Sequence, residues 1–182
     1  TFDEHKASDK NGIYILTASY TDKGKDGLSN AELTGRTQLI FKTPYFEAQQ
    51  ADEKSAGLGN WQAGGNSLLG SIKHNSHLKY NNIDLNGLKS IDFNAFYGKN
   101  YDYKGTVEIR KGAKDGEVIG QTKLGYFSKQ KESLKSYSIK ISPTNEVTDL
   151  FVVFKNEADK NQFVCNANAI MLNYWQAEKV TL

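Results

Sequence analysis

The sequence predicts an all-β protein, built as an antiparallel β-sandwich. Apolar and polar residues alternate with a period near two in many short segments, as in strands with one buried face. Turn signals rich in Gly, Asn and Asp separate these segments. No segment shows the apolar pattern of an amphipathic helix of three turns. Many short strands joined by tight turns are typical of sandwiches.

The strands follow from these patterns. Tyr137, Ile139 and Ile141 share one face of the segment 136–142, and Ser138 lies on the other. The continuously apolar run Leu150–Phe154 is typical of a strand covered on both faces. Further strands are predicted at 13–21, 37–43, 78–84, 90–97, 106–110, 117–122 and 169–174. Asp115-Gly116 predicts a hairpin between two of them, because both residues tolerate positive φ.

Composition indicates an ordinary globular chain. It has 182 residues, of which 38% are hydrophobic and 24% are charged. The aromatic content of 12% argues against disorder. No apolar run approaches the ~18 residues that a membrane helix needs, and a net charge of +2 is too small to indicate nucleic-acid binding. We therefore predict neither a membrane nor a nucleic acid as partner.

The common catalytic motifs are missing. The sequence has no Gly-x-Ser-x-Gly elbow, no P-loop and no Gly-x-Gly-x-x-Gly segment opening a helix. The single cysteine, Cys165, lies in an apolar stretch, which predicts a buried and inert thiol. His74 and His77 precede or enter a strand, where residues three apart point to opposite faces and do not form a metal pair. We predict no enzymatic activity.

Aromatic residues in loops are the more informative feature. Proteins commonly bind sugars by stacking them on Trp or Tyr. Trp61 lies in the Gly-rich segment Gly57–Gly65, which is predicted to be a loop where a ligand can approach the backbone closely. Trp61 could also fold back as a lid on the sandwich. Tyr137 is a second candidate, although its shared face with Ile139 favours core packing.

Five segments occur in an order that is typical of one protein family. The segment Phe46-Glu-Ala-Gln49 resembles an opening strand, and Ile72–Tyr80 is similar to an Ile-x-x-Gly-(Asp/Ser)-aromatic-aliphatic-x-Tyr segment. The remaining segments are Asn81–Leu85, Gly105–Arg110 with the hairpin Asp115–Gly120, and Asp149–Phe154. Together they resemble the family 6 carbohydrate-binding modules, over about residues 45–176.

The resemblance implies a jelly-roll sandwich over residues 45–182, which binds a glycan without catalysis. Residues 13–44 precede the module and are expected to form an accessory β-hairpin, and the polar residues 1–12 a flexible tail or linker. The parent would be a large bacterial multidomain protein, secreted or in the cell envelope, with this module in its C-terminal part. The module would hold a covalently linked catalytic domain near an oligo- or polysaccharide. The alternative is a structural or domain-docking sandwich that has lost sugar binding.

The resemblance also implies site residues. Asn166 matches a sugar-binding Asn of the family's main cleft, but Ser71 stands where the family has a stacking Tyr. We therefore predict Trp61 and Tyr137 as stacking residues and Asn166 as a hydrogen-bonding residue.

The family usually holds a structural calcium ion as well. The matching positions are Glu47, Gln49 and Asn173. Two of these are amides where the family has carboxylates, and Ca²⁺ favours anionic oxygen. We therefore expect structural calcium at these residues, bound more weakly than in the family.

Overall fold

The computed structural model describes residues 13–22, 34–128 and 132–174. The predicted tail, residues 1–12, lies outside the described residues. The chain divides into two units, Thr1–Thr43 and Pro44–Leu182, next to the predicted module boundary. In the first unit, β1 (Ile13–Thr21) and β2 (Thr34–Lys42) pair antiparallel.

The second unit is an antiparallel β-sandwich, as predicted. One sheet has the strand order β10-β9-β12-β7-β4, and the other has the order β11-β8-β13-β6-β5, with β3 also paired to β13. The strands are β3 (Tyr45–Glu47), β4 (Glu53–Lys54), β5 (Gly59–Ala63), β6 (Asn66–Ile72), β7 (His77–Asp84), β8 (Leu88–Tyr97), β9 (Asp102–Lys111), β10 (Val118–Ser128), β11 (Ser133–Lys140), β12 (Val147–Lys155) and β13 (Cys165–Tyr174). A short 3₁₀ helix, Ala48–Gln50, follows β3. The described residues contain no helix of the length and hydropathy needed to span a bilayer.

The core lies between the two sheets and follows the alternation in the sequence. Along β8, Ile91 and Phe93 are buried, whereas Asp92 between them is partly exposed. The ring of Phe93 lies 5.7 Å from the ring of Phe154 in the other sheet. The central strand β12 is buried from Leu150 to Phe154, as the continuous apolar run predicts.

One predicted hairpin is present in the structure, and one segment predicted as a loop is instead part of a second hairpin. The hairpin predicted at Asp115-Gly116 is confirmed, since β9 and β10 pair antiparallel around it. The segment Gly57–Gly65, predicted as a loop, instead contains strand β5, which pairs with β6 through a two-residue turn. Gly64 and Gly65 form this turn with φ values of 56° and 77°, which is the type I′ pattern that favours glycine. The sequence conceals β5 because the strand is short and four of its five residues are exposed.

Gly105 in β9 marks a close approach of two strands. A Cβ at this position would lie 2.6 Å from the carbonyl oxygen of Lys155 and 2.6 Å from a methyl group of Val164. A backbone carbonyl cannot rotate aside, so Gly105→Ala should lower the free energy of unfolding by about 1–3 kcal/mol. Urea denaturation measures this change. Gly59→Ala is the control, because no atom lies within 4 Å of its Cβ position; equal stability of the two variants would contradict the close packing.

Candidate functional site

A surface cavity of about 410 Å³ lies where the β5–β6 hairpin, the β8–β9 turn and the segment before β13 meet. Aromatic rings and small polar side chains form most of its lining. The lining residues are Gly59, Asn60, Trp61, Gly70, Ser71, Gly98, Lys99, Asn100, Tyr101, Tyr103, Glu132, Phe163 and Asn166. Two of the three predicted ligand residues, Trp61 and Asn166, are therefore brought together here.

A β-bulge between β6 and β13 shapes the floor of the cavity. At this point the single residue Asn166 lies opposite both Gly70 and Ser71. The backbone of Ser71 has a φ of 64°, which is uncommon for a residue with a Cβ. Bulges redirect side chains out of the regular strand pattern. This one leaves Ser71 and Asn166 in the lining of the same cavity.

Trp61 forms one wall. Its indole ring packs edge-on against Phe96, with the ring centroids 5.8 Å apart, and remains 38% exposed. Gly70 makes this position possible, because a Cβ there would lie only 2.6 Å from Nε1 of Trp61. The sequence left open whether Trp61 faces a ligand or folds back as a lid on the sandwich. The structure has features of both, because the ring covers Phe96 and also faces solvent in the cavity.

Three aromatic residues form a second wall that the sequence analysis missed. The ring of Phe163 lies 5.1 Å from that of Tyr101 and 6.4 Å from that of Tyr103. Tyr101 is 54% exposed. The backbone N–H of Lys104 donates to the carbonyl of Phe163 at 3.1 Å, which joins the two segments. The sequence offers one signal for this wall, which is the pair Tyr101 and Tyr103 directly after the turn at residues 98–100.

Asn166 has a fixed orientation. It is 6% exposed, and its Nδ2 donates to the carbonyl of Phe96 and to the hydroxyl of Tyr103, both at 3.1 Å. These bonds use both amide hydrogens, so Oδ1 remains as an acceptor for other partners. Oδ1 lies 3.2 Å from the position that a Cβ on Gly70 would take, and Nε1 of Trp61 lies 2.6 Å from it. The missing side chain at Gly70 thus leaves room for this acceptor and for the indole N–H of Trp61, and both residues line the cavity.

Tyr137 does not join these residues. Its hydroxyl donates to the carbonyl of Leu124 at 2.7 Å and lies 2.8 Å from the hydroxyl of Tyr97. The ring packs against the core, and burial raises the pKa of both hydroxyls. The structure thus corrects the prediction that Tyr137 stacks on a sugar: its side chain is engaged in core packing, the alternative that the shared face with Ile139 favours.

The three predicted calcium ligands do not form one site. Glu47 pairs with Ala169 in β13. Asn173 lies four residues farther along the same strand, which corresponds to roughly 13 Å. Its Nδ2 donates to Oγ of Ser90 at 3.3 Å. Asn173 therefore cannot share a cation with Glu47.

The remaining donor set does not fit a calcium ion. Gln49 presents its amide nitrogen, and not an oxygen, to its two neighbours, the carbonyls of Trp61 and Leu68. Calcium requires six to eight oxygen ligands. In the described part of the chain, no three His, Cys, Asp or Glu side chains are grouped so that they could hold a metal ion. The expected calcium thus has no suitable ligand set at these residues.

Comparison with known proteins identifies the family. The sequence profile described as "Carbohydrate binding module (family 6)" matches residues 48–178. The chain belongs to this family. Family 6 modules bind carbohydrate and are not catalytic, so family membership assigns carbohydrate binding to this module. The alternative of a purely structural or docking sandwich is not favoured. No match was found among curated proteins.

Solved structures show the same fold. A family 6 module from Clostridium cellulolyticum, solved in complex with xylose, has a TM-score of 0.60 and 19% identity over 71% of this chain and 95% of its own. A β-1,3-glucan-binding family 6 module from Bacillus halodurans has a TM-score of 0.59 and 19% identity, over 71% and 94% of the two chains. An arabinoxylan arabinofuranohydrolase of glycoside hydrolase family 43 from Bacillus subtilis, in complex with cellotetraose, has a TM-score of 0.58 and 17% identity, over 76% of this chain and 29% of its own.

The cavity of this family 6 module coincides with positions that the resemblance matched to the family's main cleft. Ser71 and Asn166 both line it. Ser71 supplies no aromatic ring, and Tyr101 and Phe163 place rings in the cavity from other positions in the chain. The module thus keeps an aromatic cavity although the family's stacking Tyr is replaced.

Proposed function

We propose that this module binds an oligo- or polysaccharide through the cavity between Trp61 and Tyr101. The observation that carries the proposal is the combination of exposed aromatic rings with the fixed amide of Asn166 in one 410 Å³ cavity. The rings would stack against the C–H faces of a sugar. Oδ1 of Asn166 would accept a hydrogen bond from a sugar hydroxyl, and Nε1 of Trp61 would donate one.

The surface beside the cavity supports a polymeric ligand. A second depression of about 480 Å³ lies next to Phe96 and Leu134 and shares Lys99 and Glu132 with the cavity. A sugar chain that stacks on Trp61 would have room to continue into this depression. Lys99 and Glu132 are polar groups with which the hydroxyls of a second sugar residue could form hydrogen bonds.

The same residues support binding without catalysis. Glu132 is the single carboxylate among the described residues that line the cavity, whereas glycoside hydrolysis generally uses a pair of carboxylates at a fixed separation.

The module would hold an attached catalytic domain at its substrate. This part of the proposal is supported by the family 43 hydrolase, in which the matching region makes up 29% of a longer chain. Linkage would raise the effective concentration of that domain at the glycan. We propose a secreted or cell-envelope location for the parent protein, because family 6 modules typically occur in extracellular glycan-degrading proteins.

Affinity electrophoresis through gels that contain xylan, β-1,4-glucan or β-1,3-glucan tests the proposal. The protein should be retarded by at least one polysaccharide, and Tyr101→Ala should weaken that binding roughly tenfold through loss of a stacking surface. Tyr126→Ala is the matched control, because Tyr126 is 58% exposed but does not line the cavity. No retardation in any gel, or equal loss in both variants, would contradict the proposal.

A further inference from the structure

The side chain of Gln49 connects the two strands of the β5–β6 hairpin. Its Nε2 donates to the carbonyl of Leu68 at 2.8 Å and to the carbonyl of Trp61 at 3.2 Å. Trp61 and Leu68 are cross-strand partners. A single amide group thus holds both strands at the position where Trp61 forms the wall of the cavity.

The chemistry of the two partners determines which atom of Gln49 faces them. Backbone carbonyls only accept hydrogen bonds, so the amide nitrogen, with two hydrogens, matches both at once. A carboxylate at this position would bring a negative oxygen against two carbonyl oxygens. That arrangement is stable only with a cation between them, because Ca²⁺ is bound by carboxylates and backbone carbonyls together.

A positively charged group lies beside Gln49. The ammonium of Lys54 donates to the backbone carbonyl of Gln49 at 2.6 Å. This charge disfavours a divalent cation nearby, since like charges repel. The ammonium and the amide N–H groups thus already occupy three carbonyl oxygens that a cation could otherwise use, those of Gln49, Trp61 and Leu68.

We propose that the amide of Gln49 replaces the calcium ion that family membership implies at these residues, so that the hairpin carrying Trp61 is held in place without a metal. Gln49 is then a positioning residue for the cavity wall. The inference concerns the stability of the hairpin, and it stands whether or not the cavity binds a glycan.

Thermal unfolding in EDTA and in excess Ca²⁺ tests this proposal. The melting temperature of the unsubstituted protein should be the same in both conditions. Gln49→Ala should melt about 3–8 °C lower in both, because it loses two hydrogen bonds. Gln49→Glu should melt lower in EDTA, where the carboxylate faces two carbonyls, and should recover with Ca²⁺. Gln62→Glu is the matched control, as an exposed Gln on the same hairpin that should not respond to Ca²⁺.

A rise of several degrees in the melting temperature of the unsubstituted protein with Ca²⁺ would overturn the proposal. This comparison uses no variant, so it does not depend on whether a variant folds. Failure of Ca²⁺ to restore Gln49→Glu would also overturn it, because the amide would then not occupy the position of a cation. Calorimetric titration of Ca²⁺ into EDTA-treated protein gives an independent reading, and no heat of binding is expected.

Discussion

Trp61→Ala should weaken glycan binding by at least about 30-fold, because the substitution removes a central aromatic residue of the kind that dominates binding energy. The variant loses the stacking surface and the Nε1 donor near Asn166 together. It also uncovers Phe96, whose ring packs against the indole. Isothermal titration calorimetry with the oligosaccharide of the best polysaccharide in the gel screen measures the loss.

Trp61→Phe separates the two contributions of the indole. It keeps an aromatic ring but has no N–H donor, so it should bind with an affinity between those of the unsubstituted protein and Trp61→Ala. Because Trp61 lies at the surface, thermal unfolding should show that both variants remain folded. A folded Trp61→Ala variant that binds as tightly as the unsubstituted protein would exclude Trp61 from the site.

Phe154→Ala should lower the free energy of unfolding by about 3–5 kcal/mol, the usual cost of truncating a large buried ring. Phe154 is 0% exposed, and its ring meets Phe93 across the two sheets. The cavity that is left would lie between two sheets that cannot easily close around it. Urea denaturation at constant m-value gives the change in stability.

Val147→Ala is the matched control for Phe154, because it lies on the same strand but is 60% exposed. Its effect should remain within about 0.5 kcal/mol, as for most surface substitutions. A loss of less than about 1 kcal/mol for Phe154→Ala would mean that the core between the sheets is not packed as described.

Much of the fold could be predicted because burial imposes a period of two on the sequence. Ile91 and Phe93 in β8, and the run Leu150–Phe154 in β12, carry this signal directly. Strand β5 carries no such signal, because four of its five residues are exposed. Its pairing depends on the turn Gly64-Gly65, which the sequence analysis took as part of a longer loop.

The site could be predicted only in part, because its residues come from segments far apart in the chain. Trp61 and Asn166 were found from a Gly-rich context and from the family resemblance. Tyr101 and Phe163 were missed, since a backbone contact between distant segments brings their rings together. Tyr137 was wrongly predicted to stack on a sugar because it is aromatic, although its alternation with Ile139 and Ile141 already indicates core packing.

The calcium prediction shows a different limit of sequence reasoning. The amide at Gln49 indicated that the site had changed, but the consequence depends on which atoms surround it. Those atoms are the backbone carbonyls of Trp61 and Leu68. The sequence alone does not show in which direction backbone carbonyls point.

The measurement that tests glycan binding in the cavity most directly is a titration of ¹⁵N-labelled protein with the selected oligosaccharide, followed by NMR. We expect the indole N–H signal of Trp61, assigned with Trp61→Phe, to shift together with the backbone amides of Gly70, Tyr101 and Asn166. Shifts confined to the outer face of the six-stranded sheet, around Asp92 and Met171, would contradict the account.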